Sequence, residues 1–95
     1  MNKSKKQIYL VFSCDDHKTH SSERLIMATT SVRKLKSFLA KEIENGNIDY
    51  SNGITETPKR MVAKFRKEFD VLTRSEINDR LVYAYIDYCY DGEEI

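Results

Sequence analysis

The feature that most constrains this chain is an alternation of side chains near its start. Within residues 7–14 one face carries Ile8, Leu10, Phe12 and Cys14, and the other carries Tyr9, Val11 and Ser13. Side chains of a β-strand point alternately to the two faces of a sheet. Because both faces are apolar, the pattern predicts a strand in the centre of a sheet.

Two further stretches show the same period of two. Residues 24–29 predict a second strand, which forms a hairpin with the first across a long polar connection. Residues 80–90 predict a last strand that is rich in tyrosine. Its predicted faces are Val82, Ala84, Ile86 and Tyr88 on one side and Leu81, Tyr83, Tyr85 and Cys89 on the other. We expect Tyr88 to face the core, where its hydroxyl would need a partner.

The middle of the chain changes to the three- and four-residue spacing of amphipathic helices. A first helix is predicted from a Thr-Ser cap at 30–31 to Asn-Gly at 45–46, and a second begins at Thr-Pro at 57–58. The sequence at 73–76 fits a capping box for a short third helix through Asp79. The predicted apolar stripes are Val32, Leu35, Phe38, Leu39 and Ile43, then Met61, Val62, Phe65, Phe69 and Leu72. Between the first two helices the pattern fits either a loop or a small extra hairpin.

These elements predict an α+β fold with a small antiparallel or mixed three-stranded sheet, in the order β-β-α-α-β. A chain of 95 residues has room for one hydrophobic core, so we expect a single domain over 1–95 with a flexible basic arm at 1–6. The helices should cover one face of the sheet. We expect the other face to stay partly open and to be lined by Tyr9, Val11, Tyr83 and Tyr85.

Charge and cysteine content narrow the class of protein. The sequence has no apolar run long enough to cross a bilayer and no signal-peptide core, so we expect a cytoplasmic protein in which Cys14 and Cys89 are free thiols. Its 16 basic and 15 acidic residues form blocks. Residues 1–41 contain nine basic and three acidic residues, and residues 59–69 contain five basic residues and one acidic residue. Acidic residues prevail in the remaining segments. A nearly neutral protein can therefore present a surface of either sign.

Two surfaces are candidates for binding. Exposed tyrosine beside carboxylates is typical of protein interfaces, and the last strand and the chain end supply Tyr83, Tyr85, Asp87, Asp91, Glu93 and Glu94. Basic helix faces could instead contact nucleic-acid phosphates, and these are formed by Arg33, Lys34, Lys36, Lys41, Lys59, Arg60, Lys64 and Lys67. The protein-binding hypothesis comes first, and nucleic-acid binding is the alternative.

The connection between the first two strands holds both histidines of the chain, at 17 and 20, next to Cys14 and two aspartates. These side chains are ligand types for a divalent metal, and Cys89 would join them if the last strand lay beside the first. The spacing matches no structural zinc module, and a thiolate with a histidine base would need a rigid scaffold. A polar connection explains the same residues. We therefore expect no catalytic residue and no cofactor, and a metal-binding module is a further alternative.

Three segments resemble a known group of proteins: the strand from Ile8 to Cys14, a second strand that leads through Thr-Thr-Ser into a helix, and the ending Tyr-Ala-Tyr-Ile-Asp with Asp-Gly-Glu-Glu. They resemble small proteins encoded by phages and mobile elements of low-GC Gram-positive bacteria. The resemblance implies a phage accessory protein in a bacterial host cell, and some such proteins block CRISPR nucleases by binding them. It implies a non-enzymatic inhibitor with a host nuclease or defence complex as partner, as a monomer or homodimer, and it assigns no site residue. Such an inhibitor would use the acidic strand as a nucleic-acid mimic or a basic helix face against an acidic partner.

Overall fold

A computed structural model describes residues 7–15, 17, 18, 20–50 and 57–90, and the statements below concern this part of the chain. Its strands are β1 (Gln7–Ser13), β2 (Arg24–Thr29), β3 (Asp49–Tyr50), β4 (Leu81–Val82) and β5 (Ala84–Tyr90). Its helices are α1 (Val32–Glu44), α2 (Pro58–Phe69) and α3 (Arg74–Arg80). A single 3₁₀ turn, His20–Ser22, lies in the connection between β1 and β2.

The main sheet has three antiparallel strands in the order β2-β1-β5. The predicted α+β class is therefore confirmed, and so is the central position of β1. The helices lie on one face of this sheet, where their apolar stripes join its side chains in the core. A second, two-stranded sheet pairs β3 with β4, so the segment after α1 forms a small extra pairing.

The register of the sheet decides which side chains face the helices. Val11 of β1 is opposite Met27 of β2 and Ile86 of β5, and all three contact the helices in the core. Tyr9 points the same way and packs against this core. The prediction that Tyr9 and Val11 line the open face was wrong, because β1 is apolar on both faces and alternation alone cannot tell which one the helices cover.

Local side-chain bonds start the three helices where the sequence predicts them. The Ser31 hydroxyl accepts the N–H of Lys34 at 3.2 Å and caps α1. The Thr57 hydroxyl caps α2 in the same way, with Pro58 at the first helical position. Thr73 and Glu76 form the reciprocal capping box of α3. Each such cap stabilises a helix by about 1 kcal/mol, and together they fix the helix starts independently of tertiary packing.

The start of α1 lies beside the end of α2. The Lys36 ammonium, in the second turn of α1, lies 2.9 Å from the carboxylate of Asp70, which directly follows α2. The core between the helices and the sheet consists of Val11, Leu35, Leu39, Ala40, Ile43, Ile48, Tyr50, Met61, Val62, Phe65, Ile77, Leu81, Ala84 and Ile86. Burying each large apolar side chain contributes roughly 1.5–3 kcal/mol, so this cluster is the main source of stability.

The last predicted strand is interrupted at Tyr83, whose φ of 73° lies in the left-handed region. The predicted single strand over 80–90 is therefore wrong in two respects. Helix α3 continues to Arg80, and the remainder is two strands with different partners. The break also corrects the predicted faces, because Leu81 and Ala84 are both buried in the core, 1% and 0% exposed, instead of lying on opposite sides.

In the part of the chain that the structure describes, no helix combines the length and apolarity that a membrane crossing requires.

Candidate protein-binding surface

A row of large side chains crosses the sheet on the face opposite the helices. In the register, Phe12 of β1 is paired with Leu25 of β2 on one side and with Tyr85 of β5 on the other. The Phe12 and Tyr85 rings stack with centroids 5.2 Å apart and an angle of 16° between their planes. Leu25 is 47% exposed, and the two rings are half-buried. Three strands thus present one continuous apolar row to solvent.

Tyr85 is held in this row by its hydroxyl. Burial and a hydrogen bond to the Glu23 carboxylate raise the pKa of Tyr85 to about 12. The hydroxyl therefore stays protonated at neutral pH and donates to Glu23. This bond fixes the direction of the ring that stacks on Phe12.

Tyr83 lies between β4 and β5, two residues before Tyr85, and combines an unusual backbone with an exposed side chain. Its carbonyl accepts the N–H of Cys14 at 2.9 Å, which extends the pairing of β1 with β5 by one residue. Its side chain is 43% exposed. A left-handed backbone costs a residue other than glycine about 1–2 kcal/mol. We call Phe12, Leu25, Tyr83 and Tyr85 the open-face surface.

Asp87, the third described residue of the predicted protein-binding set, is not an isolated charge. Its carboxylate lies 3.6 Å from the guanidinium of Arg74 on α3 and accepts the N–H of Tyr88 at 2.8 Å. The Arg74 guanidinium also lies 4.2 Å from the centre of the Tyr88 ring. Tyr88 is opposite Tyr9 in the register and so lies on the predicted, helix-covered face, but it is 38% exposed and is not buried in the core.

The acidic end that the sequence predicts as part of this surface, Asp91, Glu93 and Glu94, falls outside the described residues. Sequence reasoning found Tyr83, Tyr85 and Asp87 but missed Phe12 and Leu25 as their neighbours. The apolar second face of β1 was the signal that pointed to them.

The predicted basic residues all lie on α1 and α2. Arg33, Lys34 and Lys41 on α1 are exposed, as are Lys59, Arg60 and Lys67 on α2, and Lys64 is half-buried. Lys36 is engaged with Asp70, and its ammonium also lies 5.9 Å from the centre of the Phe69 ring. The helical layer therefore presents most of this set on the side of the molecule away from the open-face surface.

The connection after β1 carries the predicted metal ligands. Among the residues that the structure describes, no three histidine, cysteine or acidic side chains come together as a metal site. Asp16 lies outside these residues, as does the side chain of His20. Cys89 is paired with Ile8, at the far end of β1 from Cys14. Six residues of strand span about 20 Å, so β5 does bring Cys89 beside β1, but away from the connection.

Cys14 itself is a free, buried thiol. Burial raises its pKa, which is the opposite of the shift that activates a nucleophilic cysteine. Cys89 lies about 20 Å along β1 from Cys14. A disulfide between Cys14 and Cys89 is therefore ruled out, because bridged Cα atoms lie within about 7 Å. The predicted free thiol is thus confirmed for Cys14.

Two other features were not predicted from the sequence. The first is an apolar cleft of about 220 Å³ between the sheet and helices α1 and α3. Its lining includes Val32, Leu35, Phe69, Leu72 and Ile77, with Arg74 at its rim. Val32, predicted in the buried stripe of α1, is 48% exposed because it borders this cleft.

The second is a polar network between β3, α2 and α3. The ring of Tyr50 is fully buried, and its hydroxyl donates to the carboxylate of Glu68. Burial and this hydrogen bond raise the pKa of Tyr50. The Arg80 Nε lies 3.3 Å from the same carboxylate. The network ties β3, α2 and α3 together.

Comparison with known proteins found no matching family model, no matching curated protein and no matching solved structure.

Proposed function

We propose that this protein is not an enzyme and acts by binding another protein through the open-face surface. The observation that carries the proposal is Tyr83, an exposed aromatic side chain on a strained, left-handed backbone. Glycine would adopt this conformation without the strain. Strained backbone that the surrounding structure holds in place is concentrated at functional sites.

Two other aromatic residues of the open-face surface support the same proposal. Tyrosine is among the residues that dominate binding energy at interfaces, because it buries a large rigid surface at low cost in entropy. The Phe12 and Tyr85 rings are already stacked on each other, and Tyr85 is further fixed by Glu23. Little side-chain freedom would be lost when a partner covers these rings, because they are already held in place.

The chemistry of the partner follows from what surrounds the row. Glu23, which directly precedes β2, accepts the Tyr85 hydroxyl, and Asp87 lies on β5 two residues after Tyr85, where it pairs with Arg74. A complementary partner has an apolar patch bordered by basic residues. Nucleases carry basic surfaces for the phosphate backbone. Together with the resemblance to phage accessory proteins, this supports inhibition of a host defence nuclease, such as a CRISPR nuclease, as the specific function.

The test is a cleavage assay with a purified CRISPR nuclease from a low-GC Gram-positive host, with and without this protein. The informative variant is Leu25→Arg, which places a cation in the row. Val71→Arg is the matched control, because Val71 is 75% exposed and lies in the turn after α2. We expect the wild type and the control to inhibit and Leu25→Arg to lose at least about tenfold in affinity, or about 1.4 kcal/mol. Equal inhibition by both variants would show that the open-face surface is not the binding site.

A further inference from the structure

We propose that the outward side of α1 and α2 is a second binding surface, which takes the phosphate backbone of a nucleic acid. The proposal does not depend on the open-face surface, which lies on the other side of the sheet. It rests on where the two helices place their charges.

Helix α2 is the centre of this surface. Five of its twelve residues are basic, and its single acidic residue is Glu68. The Glu68 carboxylate is occupied by Tyr50 and Arg80, at the end of the core, so it does not neutralise the basic side chains. The positive charges of Arg60 and Lys67 are therefore not neutralised by this carboxylate.

Helical spacing places these charges opposite the core. Met61, Val62 and Phe65 are the buried residues of α2. At 100° per residue, Arg60 and Lys67 fall on the opposite side of the helix, two turns apart, or about 10.5 Å along its axis. Both are exposed, and neither has an ion-pair partner among the described residues.

Helix α1 extends the surface. The pair of Lys36 with Asp70 shows that the start of α1 lies beside the end of α2. Arg33 and Lys34 are exposed in the first turn of α1 and thus lie at the end of α2 that carries Lys67. The same pair neutralises Asp70, the acidic residue that directly follows α2.

A cationic surface of this kind recognises charge spacing and not bases. Each phosphate that a lysine or arginine neutralises releases condensed counterions, so the logarithm of the binding constant falls linearly with the logarithm of salt concentration. The slope per phosphate is about −0.9 for duplex DNA and about −0.7 for a single strand. A merely solvated basic face would show no binding and hence no such slope.

The experiment measures fluorescence anisotropy of labelled duplex and single-stranded DNA with the full chain, from about 50 to about 200 mM salt. We expect binding to both, with a slope of about −2 or steeper, which corresponds to about two or more phosphate contacts on duplex DNA and about three or more on a single strand. Arg60→Gln and Lys67→Gln should each weaken binding and reduce the slope by about 1. The matched control is Arg24→Gln, which removes one exposed positive charge from β2.

Three results would overturn the proposal. One is no detectable binding at the lowest salt concentration. Another is an equal loss in Arg24→Gln, since net charge and not the helical surface would then govern binding. The last is equally tight binding of polyglutamate, which would make the surface a site for acidic protein. Tyr83→Gly should bind DNA like the wild type. A failure of the nucleic-acid proposal can therefore be distinguished from a failure of the protein-binding proposal.

Discussion

The side-chain amide of Asn78 pairs with the main chain of Ile86 in both directions. Its Nδ2 donates to the Ile86 carbonyl at 2.8 Å, and its Oδ1 accepts the Ile86 N–H at 2.7 Å. A neighbouring β-strand would make the same two bonds at this position. Helix α3 thus closes part of the outer edge of β5, where an open edge would invite pairing with a second chain.

The first prediction concerns this amide. Asn78→Ala leaves the N–H and carbonyl of Ile86 without their partners, so we expect a loss of about 1–3 kcal/mol in the free energy of unfolding. Denaturant unfolding measures it, with Asp79→Ala as the matched control at the exposed neighbouring position. Sedimentation should also show more self-association in Asn78→Ala. Unchanged stability and unchanged mass would contradict the role assigned to Asn78.

The second prediction concerns the buried hydroxyl of Tyr50. Tyr50→Phe keeps the ring in the core and removes the hydrogen bond to Glu68. Hydrogen bonds to charged groups are worth about 1.5–3 kcal/mol, and the partial exposure of Glu68, 24%, places the expected loss at the lower end. Thermal unfolding of Tyr50→Phe beside Tyr83→Phe, which alters an exposed hydroxyl, checks it. Equal melting temperatures for the two variants would refute the network.

The third prediction is a pH dependence in the alkaline range. The folded protein holds Tyr85 protonated with a pKa of about 12, whereas an unfolded tyrosine ionises near pH 10. The contribution of this group to stability is therefore complete below about pH 10 and is lost as the pH rises toward 12. Tyr85→Phe cannot ionise, so its unfolding free energy should fall less over this range than that of the wild type. Parallel curves for the two proteins would show that the pKa of Tyr85 is not raised.

How far the sequence predicts this fold depends on the range over which each interaction acts. The caps at Ser31, Thr57 and Thr73 join residues that are three positions apart, so each helix start could be predicted from a few neighbouring residues. The central position of β1 was predictable as well, since both of its faces are apolar.

Other features depend on contacts between distant segments. The break at Tyr83 arises because β4 pairs with β3 whereas β5 pairs with β1, and the alternation of 80–90 carries no sign of that change of partner. The bond between Asn78 and Ile86 likewise needs the docking of α3 against β5. For the candidate surface, Tyr83 and Tyr85 were predictable from the alternation of side chains along the last predicted strand. The row that Tyr85 forms with Phe12 and Leu25 could be found only from the register of the sheet.

The fourth prediction separates strain from binding at Tyr83. Tyr83→Gly removes the ring and relieves the left-handed strain, so the free energy of unfolding should be unchanged or higher by up to about 1 kcal/mol. Tyr83→Ala also removes the ring but keeps the strained backbone, and it should be less stable than Tyr83→Gly. Denaturant unfolding of the three proteins measures both differences.

The central claim, that Tyr83 is kept for contact with a protein partner, is tested most directly by the affinity of Tyr83→Gly. The partner is isolated from a low-GC Gram-positive host with the wild-type chain, and its equilibrium binding is then compared between the wild type and this variant. We predict that Tyr83→Gly, although at least as stable, binds at least about tenfold more weakly, a loss of about 1.4 kcal/mol or more. Unchanged affinity in the fully folded variant would contradict the claim.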